Sequence, residues 1–341
     1  MKRRIIQALI VSAIPLIITV TPIEAHCQFQ YFSNPSSLIQ KGKGSINGPG
    51  ISSVGTTFNK VVLLSFDDNL KGDFIYAKPI LDKYGFKATF FIICNKTGVS
   101  GTDRFLNRTN WQDIAAMQKD GMDIESHTMN HRHLNHLSAN ALNLEIGGSK
   151  QCLASHGYNA TTFAYPYNEG SNNVTVVNLV AKYYYMARSG TEPLMFLHCD
   201  GYKKSPQTDC RTYLPDGKLT YANRYAVRSL SFDVDEIKNS FNNADIFADF
   251  VKIANSQSKY NKGDGILNAI PIITFHDVDL ATNQPYTTNV GLFDQLMKYL
   301  HDNGFKVLTM ANLGYDISSN TINIQGTPTF AITNTTSNTP R

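Results

Sequence analysis

Two short motifs in this chain combine acidic and histidine side chains at spacings that suit metal binding. Asp67 and Asp68 are adjacent and directly follow the apolar run 60–66. His127 and His131 lie four residues apart, so both imidazoles would share one face if a helical turn began there. Carboxylate and imidazole groups together suit zinc or a similar divalent ion and leave positions open for water and a substrate.

Each motif also has an ordinary structural interpretation. The Asp-Asp-Asn sequence at 67–69 can form a turn and cap a helix. The second motif is followed by His133 and His136, so a solvated histidine-rich turn is an alternative, and composition does not fix which imidazoles are ligands. Adjacent carboxylates after a buried strand are costly without a positive partner, however, and a metal is the natural one.

Two further apolar runs end in candidate residues. Pro166 follows the run 161–165 and fixes the backbone before Tyr167, whose amide could face a developing oxyanion. His276 ends the apolar run 270–275. A single histidine after a strand is more often structural than catalytic. His276 becomes a candidate because three other strand ends carry residues that are also suited to hydrolysis at a metal.

The pattern of elements predicts how these residues are positioned. Alternating helices and short apolar strands imply parallel β/α units, closed as a barrel or open as a doubly wound sheet. Both arrangements place their chemistry at the carboxyl ends of the strands. Asn110 and Ser138 are expected N-caps of two helices. Four helical stretches are expected to end at a glycine: Gly85, Gly121, Gly157 and Gly304.

Length and composition indicate one catalytic domain with appendages. The chain has 341 residues, of which 42% are hydrophobic and 17% charged, so it can bury a large core. The formal net charge is only +4, and its lysines and arginines are scattered, which argues against a nucleic acid partner. We place the catalytic domain at 59–316, between an arm or linker at 26–58 and a flexible tail rich in Ser, Thr and Asn at 317–341.

Residues 1–25 have the features of an export signal. Lys2, Arg3 and Arg4 precede an apolar run, and Ala25 ends a small-residue cleavage site. We therefore expect a secreted or cell-surface protein with no stable membrane insertion after cleavage. An uncleaved anchor is the alternative, because the apolar run is slightly long for a signal.

Export permits disulfides, and the five cysteines allow two bridges with one left over. Cys199 and Cys210 flank a polar segment and are the first pair that we expect. Cys94 with Cys152 is the second, which would leave Cys27 unpaired. The cysteines are too far apart in sequence to make a zinc knuckle.

Together the four motifs resemble those of the polysaccharide deacetylases, the family 4 carbohydrate esterases that share the NodB homology domain. The resemblance covers residues 59–316, and the motifs come in the family's order. They are Ser65-Phe66-Asp67-Asp68-Asn69 for Thr-Phe-Asp-Asp-Gly, His127-Thr128-Met129-Asn130-His131 for His-Ser/Thr-x-x-His, Phe163-Ala164-Tyr165-Pro166-Tyr167 around Pro-Tyr, and Thr274-Phe275-His276 for Leu-x-His.

The resemblance implies a fold, an activity and a set of roles. The fold is α/β, a distorted (β/α)7 barrel of the TIM-like type. The activity is metal-dependent hydrolysis of N-acetyl groups on an N-acetylglucosamine-containing polysaccharide, with release of acetate and with zinc as the expected ion. The matched residues are Asp67 as general base, Asp68, His127 and His131 as metal ligands, Tyr167 as oxyanion donor through its amide, and His276 as general acid.

Departures from the family's motifs keep two other functions open: an O-acetyl esterase acting on a plant or wall polysaccharide, and a non-catalytic secreted carbohydrate-binding protein with a degenerate site. Asn69 replaces a glycine, a change that its own access to left-handed backbone makes tolerable. Ala164 stands where many members carry an arginine, a charge that Arg188 or Arg228 could supply. The only tryptophan, Trp111, gives no counterpart of the family's Asp-x-x-Asp-Trp element. The sequence leaves the polymer and the oligomeric state open.

Overall fold

The structure of the protein is a computed structural model. It describes residues 60–101, 107–190, 192–197, 222–234, 242–261, 267–280, 285–316, 318 and 321–325. The expected export signal, the whole expected linker at 26–58, residue 59 and residues 326–341 of the expected tail lie outside the described residues. Within the described ranges, no helix is both long enough and apolar enough to cross a bilayer.

The described elements alternate along the chain as strands and helices. The strands are β1 (Val61–Phe66), β2 (Thr89–Ile92), β3 (Asp123–Ser126), β4 (Thr162–Ala164), β5 (Met186–Ser189), β6 (Leu194–Phe196), β7 (Val227–Arg228), β8 (Leu230–Ser231), β9 (Ala269–Phe275), β10 (Val278–Asp279), β11 (Thr288–Asn289), β12 (Lys306–Leu308), β13 (Leu313–Asp316) and β14 (Thr321–Ile324). The α-helices are α1 (Lys78–Lys83), α2 (Trp111–Lys119), α3 (Ala139–Asn143), α4 (Ser149–Ser155), α5 (Val174–Tyr183), α6 (Asn243–Asn255) and α7 (Val290–Asp302). Two π-helical turns, Asp73–Ala77 and Leu144–Gly148, precede α1 and α4.

Local sequence signals fix several of these boundaries. Asn110 accepts a hydrogen bond of 2.9 Å from the Asp113 amide at the start of α2, and Ser138 accepts one of 3.4 Å from the Ala141 amide at the start of α3. Both predicted caps are therefore confirmed. The four predicted glycines follow α1, α2, α4 and α7 with φ between 69° and 88°. Glycine reaches this conformation without a side-chain clash, which allows each helix to stop and the next strand to begin.

Seven strand positions form a ring of parallel strands. Pairing runs from β1 through β2, β3 and β4 to β5, and β9 pairs with β1 on its other side. The segment 227–231 closes the ring, because β7 pairs with β5 while β8 pairs with β9. β12 lies parallel to the first half of β1, and β6 is antiparallel to β9. The predicted (β/α)7 barrel is confirmed, and the open, doubly wound alternative is wrong.

Side chains alternate between the inside of the ring and the helix layer, as the strand period of two requires. On the helix side, Val62 and Leu64 belong to a large apolar cluster that includes the buried faces of the helices. On the inner side, Val61, Leu63 and Ile272 belong to a second apolar cluster, whose described members include no residue of an α-helix. Further along these same strands the inward residues are polar, and they include the candidate site residues Asp67 and His276.

An antiparallel hairpin of β13 and β14 follows the last barrel strand. Leu313 and Ile322 belong to the inner apolar cluster, and the Ile322 amide donates a hydrogen bond of 3.0 Å to the Leu197 carbonyl. β14 lies within the segment 317–341 that the sequence analysis assigned to a flexible tail. The domain boundary expected at 316 thus falls inside this hairpin, and packed structure continues to Ile324.

Candidate metal and catalytic site

The predicted site residues meet at one end of the barrel. Asp67 and Asp68 follow β1, His127 follows β3, Tyr167 lies in the turn after β4, and His276 follows β9. Since these strands are parallel members of one ring, their carboxyl ends converge. The structure therefore brings together residues that are more than 200 positions apart in the sequence.

Asp68, His127 and His131 form a compact group of potential metal ligands. Asp68 Oδ1 lies 3.5 Å from His127 Nε2 and 3.4 Å from His131 Nε2. One ligand atom from each of the three residues lies within 4.8 Å of the others. Asp68 Oδ1 is also buried and has no hydrogen-bond partner in the described structure. A buried, unpartnered carboxylate oxygen between two imidazole nitrogens fits a cation at their centre.

The two histidines converge through a loop rather than through a helix. Thr128 and His131 have φ of 71° and 62°, so the helical turn considered in the sequence analysis is wrong. The Thr128 hydroxyl accepts a hydrogen bond of 2.8 Å from the His131 amide, and the Met129 amide donates one of 3.1 Å to the Glu145 carbonyl. These contacts hold a left-handed loop that non-glycine residues adopt only where surrounding structure enforces it.

Protonation states in this group suit metal binding. The Nδ1 of His127 lies 2.9 Å from the Ala164 carbonyl and donates to it, which leaves the Nε2 lone pair facing Asp68. Burial lowers the pKa of His127, and burial together with the neighbouring His127 lowers the pKa of His131 to about 3. Burial would raise the pKa of Asp68, but His131 and His127 lower it to about 2. Two neutral imidazoles and one carboxylate result at neutral pH.

Asp67 is held as a carboxylate by Arg188. The Arg188 Nη2 atom lies 2.6 Å from both carboxylate oxygens, and Arg188 Nη1 donates to the Ser229 hydroxyl at 2.8 Å. Burial raises the pKa of Asp67, but Arg188 lowers it more strongly, so that the pKa lies below its usual value. Of the two arginines that the sequence left open, Arg188 makes this contact. It is paired in register with Ala164, so the charge absent from β4 is supplied by the neighbouring strand.

His276 has a partner that the sequence analysis missed. Its Nδ1 lies 2.8 Å from Asp233 Oδ1, and its amide donates a hydrogen bond of 2.6 Å to Asp233 Oδ2. Burial lowers the pKa of His276, but Asp233 raises it more, with further contributions from Asp67 and Asp68, to about 9. The sequence does contain a signal for Asp233, because Ser231-Phe232-Asp233 repeats the pattern of Ser65-Phe66-Asp67, in which a carboxylate follows a short strand.

The backbone at Asp68 and Asn69 is fixed from outside the barrel. Asn69 has φ of 46° and its Oδ1 accepts a hydrogen bond of 3.0 Å from the Ile93 amide, so the left-handed conformation expected of this residue is confirmed. Arg108, itself buried, donates from Nη1 to the Asp68 carbonyl. These contacts orient the Asp68 side chain towards the histidines.

A disulfide between Cys94 and Cys152 supports the histidine loop. It joins the turn after β2 to α4, and the Cys94 amide donates a hydrogen bond of 3.2 Å to the Thr128 carbonyl. The second predicted cysteine pair is therefore confirmed. The other three cysteines, Cys27, Cys199 and Cys210, lie outside the described residues.

Comparison with known proteins finds similarity over part of this domain. Residues 55–187 match the family model described as Polysaccharide deacetylase. The protein named "Putative polysaccharide deacetylase YxkH" from Bacillus subtilis (strain 168) is 32% identical over 134 residues, which are 39% of this chain and 46% of that protein. The chain thus spans less than half the length of this relative.

Two solved structures are similar to parts of the chain. The Streptococcus pyogenes deacetylase PplD in complex with acetate is 29% identical, with a TM-score of 0.36, over 39% of this chain and 57% of that one. A family 4 carbohydrate esterase from Streptomyces lividans in complex with acetate is 16% identical, with a TM-score of 0.47, over 79% of this chain and 100% of that one.

The fold and the site together define a (β/α) barrel whose strand ends carry a candidate metal and acid–base centre. Within that class, residues 55–187 match the polysaccharide deacetylase family model, and the four motifs carry the same resemblance.

Proposed function

We propose that this protein is a metal-dependent deacetylase that removes N-acetyl groups from an N-acetylglucosamine-containing polysaccharide and releases acetate. One observation carries the proposal. Asp67 is held ionised by Arg188 and His276 is held protonated by Asp233, beside the three potential metal ligands. Two titratable groups whose surroundings push their pKa values apart are the arrangement that general acid–base hydrolysis requires.

Asp68, His127 and His131 would hold the metal ion. Their donor set of two neutral imidazoles and one carboxylate fits zinc, with positions left for water and substrate. When bound, a divalent ion polarises a carbonyl and lowers the pKa of water. Asp68 Oδ1 lacks a hydrogen-bond partner in the described structure, and this supports the assignment of a cation to the site.

Asp67 would act as the base. Its carboxylate stays ionised at neutral pH because Arg188 compensates for its burial, and its Oδ2 lies 3.9 Å from His127 Nε2. A water molecule that attacks the acetyl carbon beside this group can give its proton to Asp67. Arg188 contacts both carboxylate oxygens and so restricts the orientation of the proposed base beside His127.

His276 would act as the acid and Tyr167 would stabilise the oxyanion. Because His276 Nδ1 donates to Asp233, the proton that it can transfer is on Nε2. That proton would pass to the departing sugar nitrogen as the carbon–nitrogen bond breaks, which yields acetate and a free amine. Tyr167 has φ of 57° and ψ of 15°, and its amide is the proposed donor to the oxyanion.

Variants separate metal binding from proton transfer. Asp68→Ala and His127→Ala should lose the metal, as measured by elemental analysis of purified protein. Asp67→Asn and His276→Ala should keep the metal and lose about 10²-fold or more in turnover. Asp249→Asn, which changes an exposed carboxylate on α6 with 42% side-chain exposure, is the matched control. Full metal occupancy in Asp68→Ala would refute the ligand assignment, and full activity in Asp67→Asn would refute the base.

Acetate release distinguishes the substrate classes. Metal-loaded protein would be incubated with N-acetylglucosamine oligosaccharides and, in parallel, with O-acetylated xylan. Release from the first and not the second is the expected result. The opposite pattern would make the protein an O-acetyl esterase. A purified protein that holds no metal and releases no acetate from either substrate would leave a carbohydrate-binding role.

We also propose that the protein is secreted and that residues 1–25 are the cleaved signal. The sequence of the first 25 residues supports this, as does the Cys94–Cys152 disulfide, since such bonds persist in oxidising compartments. Mass spectrometry of protein from the culture medium should give an amino terminus at His26. Retention of the whole chain in the cell fraction would contradict the proposal.

A further inference from the structure

Two exposed tyrosines stand at the mouth of the site, and the acid–base scheme does not use their side chains. Tyr167 is 52% exposed and Tyr286 is 42% exposed. Large aromatic rings placed in water at the rim of a cleft commonly mark a binding surface. Both residues also have positive φ, 57° and 56°, which is uncommon for a bulky side chain and concentrates at functional positions.

Tyr167 is the outer layer of a small aromatic stack. Its ring lies parallel to the His133 ring, with centroids 3.8 Å apart and an angle of 11° between the planes. It also meets the ring of His131 at 4.6 Å. Glu169 fixes His133 through a contact of 3.1 Å to Nδ1. The covered face of Tyr167 is thus supported by the chain, and the ring is presented to the cleft beside a candidate metal ligand.

Tyr286 stands beside the candidate acid. Its ring meets the His276 ring at 5.0 Å, at an angle of 70°. The chain is anchored two residues after Tyr286, because Thr288 pairs with Val278 and its amide donates a hydrogen bond of 2.9 Å to the Asp277 carbonyl. This anchor and the contact with His276 restrict the ring before any ligand arrives, which reduces the entropy lost on binding.

The two rings stand beside different members of the candidate site. Tyr167 lies against His131 and Tyr286 against His276, and these histidines flank the reaction centre. A saccharide whose acetyl group lies beside Asp67 would therefore have one exposed tyrosine ring near the candidate metal ligands and the other near the candidate acid.

We propose that Tyr286 and the ring of Tyr167 form a clamp that recognises the pyranose ring of the substrate, and that Tyr286 is the specificity residue on the side of the acid. A pyranose presents rows of C–H groups on its faces, and these are attracted to the electron-rich face of an aromatic ring. The clamp rests on the proposed function, because it assigns a saccharide to the same site. The clamp predicts that an oligosaccharide binds by stacking on the ring of Tyr286 rather than by a hydrogen bond to the Tyr286 hydroxyl.

Binding, measured without turnover, tests the clamp. An Asp67→Asn protein would be titrated calorimetrically with a β-1,4-linked N-acetylglucosamine tetramer. Adding Tyr286→Ala should raise the dissociation constant about tenfold, which is the effect of losing one well-packed aromatic contact. Adding Tyr286→Phe should leave the constant within about threefold, since the ring is kept. Tyr185→Ala, which removes a ring of the same 42% exposure just before β5, is the matched control and should have no effect.

Each result has a definite meaning. Equal affinities in the Ala, Phe and parent proteins would overturn the clamp, and so would a tetramer that fails to bind the parent. Equal losses in Ala and Phe would assign the effect to the hydroxyl and overturn stacking. Thermal midpoints of all variants would exclude unfolding as the cause. Acetate release is not part of this test, so an inactive protein would refute the proposed deacetylase activity without deciding the clamp.

Discussion

The two halves of the barrel interior are built from the same strands and follow opposite rules. In the half near the amino ends of the strands, Val61, Leu63 and Ile272 fill the space with apolar groups. Two inward positions beyond Leu63 and Ile272, the same rows carry Asp67 and His276. The apolar half needs only close packing, whereas the polar half needs a partner for every buried charge.

The partners in the polar half come from neighbouring strands. Arg188 compensates Asp67, and Asp233 compensates His276. Asp68 Oδ1 differs, because it lacks a hydrogen-bond partner in the described structure, and it is also the atom that faces both candidate histidine ligands. The contrast teaches that Asp67 and His276 each have a charged partner from the protein itself, whereas the unpartnered oxygen of Asp68 lies where an ion would bind.

The largest expected effect comes from removing Arg188. In Arg188→Met, Asp67 is left as a buried and unpaired carboxylate, and the protein should lose about 3–5 kcal/mol of unfolding free energy at pH 7, measured by denaturant titration. The pKa of Asp67 should rise, so the acidic limb of activity should move to higher pH. In the parent protein, the lowered pKa of Asp67 contributes stability at pH values above its unfolded pKa of about 3.9. That stability is lost as the pH falls through the lower pKa of the folded protein.

A second substitution serves as the control for that prediction. Arg188→Met combined with Asp67→Asn removes the unpaired charge, and part of the lost stability should return. A double variant no more stable than the single one would show that Arg188 contributes through packing, for instance against Phe91, whose ring lies 4.8 Å away, rather than through charge.

A cavity in the apolar half should lower the unfolding free energy by nearly as much and should not change kcat. Ile272 is fully buried, and Ile272→Ala should lower the unfolding free energy by about 2–5 kcal/mol with kcat unchanged at temperatures where the protein is folded. Ile75→Ala, at a site with 46% exposure, is the matched control and should be close to neutral. A large fall in kcat for folded Ile272→Ala would contradict the separation of the two halves.

Asp233→Asn should change how stability depends on pH. The pKa of His276 is raised from 6.5 to about 9, so the pair contributes stability that is fully present below pH 6.5 and is lost as pH rises through about 9. In metal-free protein the variant should therefore lose roughly 3 kcal/mol at pH 6 and progressively less towards pH 9. Urea titrations at several pH values would measure this. A loss that does not depend on pH would mean that Asp233 does not stabilise a protonated imidazole.

The smallest effect is expected at the boundary between the halves. The hydroxyl oxygens of Ser65 and Thr274 lie 2.8 Å apart and satisfy each other. Thr274→Val leaves the Ser65 hydroxyl without this partner and should cost about 1 kcal/mol of unfolding free energy, while Ser65→Ala with Thr274→Val should be closer to the parent. Thermal unfolding of the three proteins would decide it, and additive losses would contradict a shared hydrogen bond.

Much of the scaffold could be predicted because its signals are local. Asn110 caps α2, and glycines end four helices, through conformations that each residue determines within one turn. The strand ends with Asp67, His127 and His276 were recognisable for the same reason. The helical turn at 127–131 was wrong, because contacts to Glu145 and to the Thr128 side chain impose a left-handed loop that the residue spacing does not encode.

The sequence by itself determined the alternation of strands and helices and the set of residues able to bind metal and transfer protons. The tertiary structure decided which charge stands beside which. Arg188 rather than Arg228 reaches Asp67 across 121 positions, and Asp233 reaches His276 across 43. Closure of the ring through the segment 227–231 sets the second of these distances, and such contacts depend on the whole packed barrel rather than on any local preference.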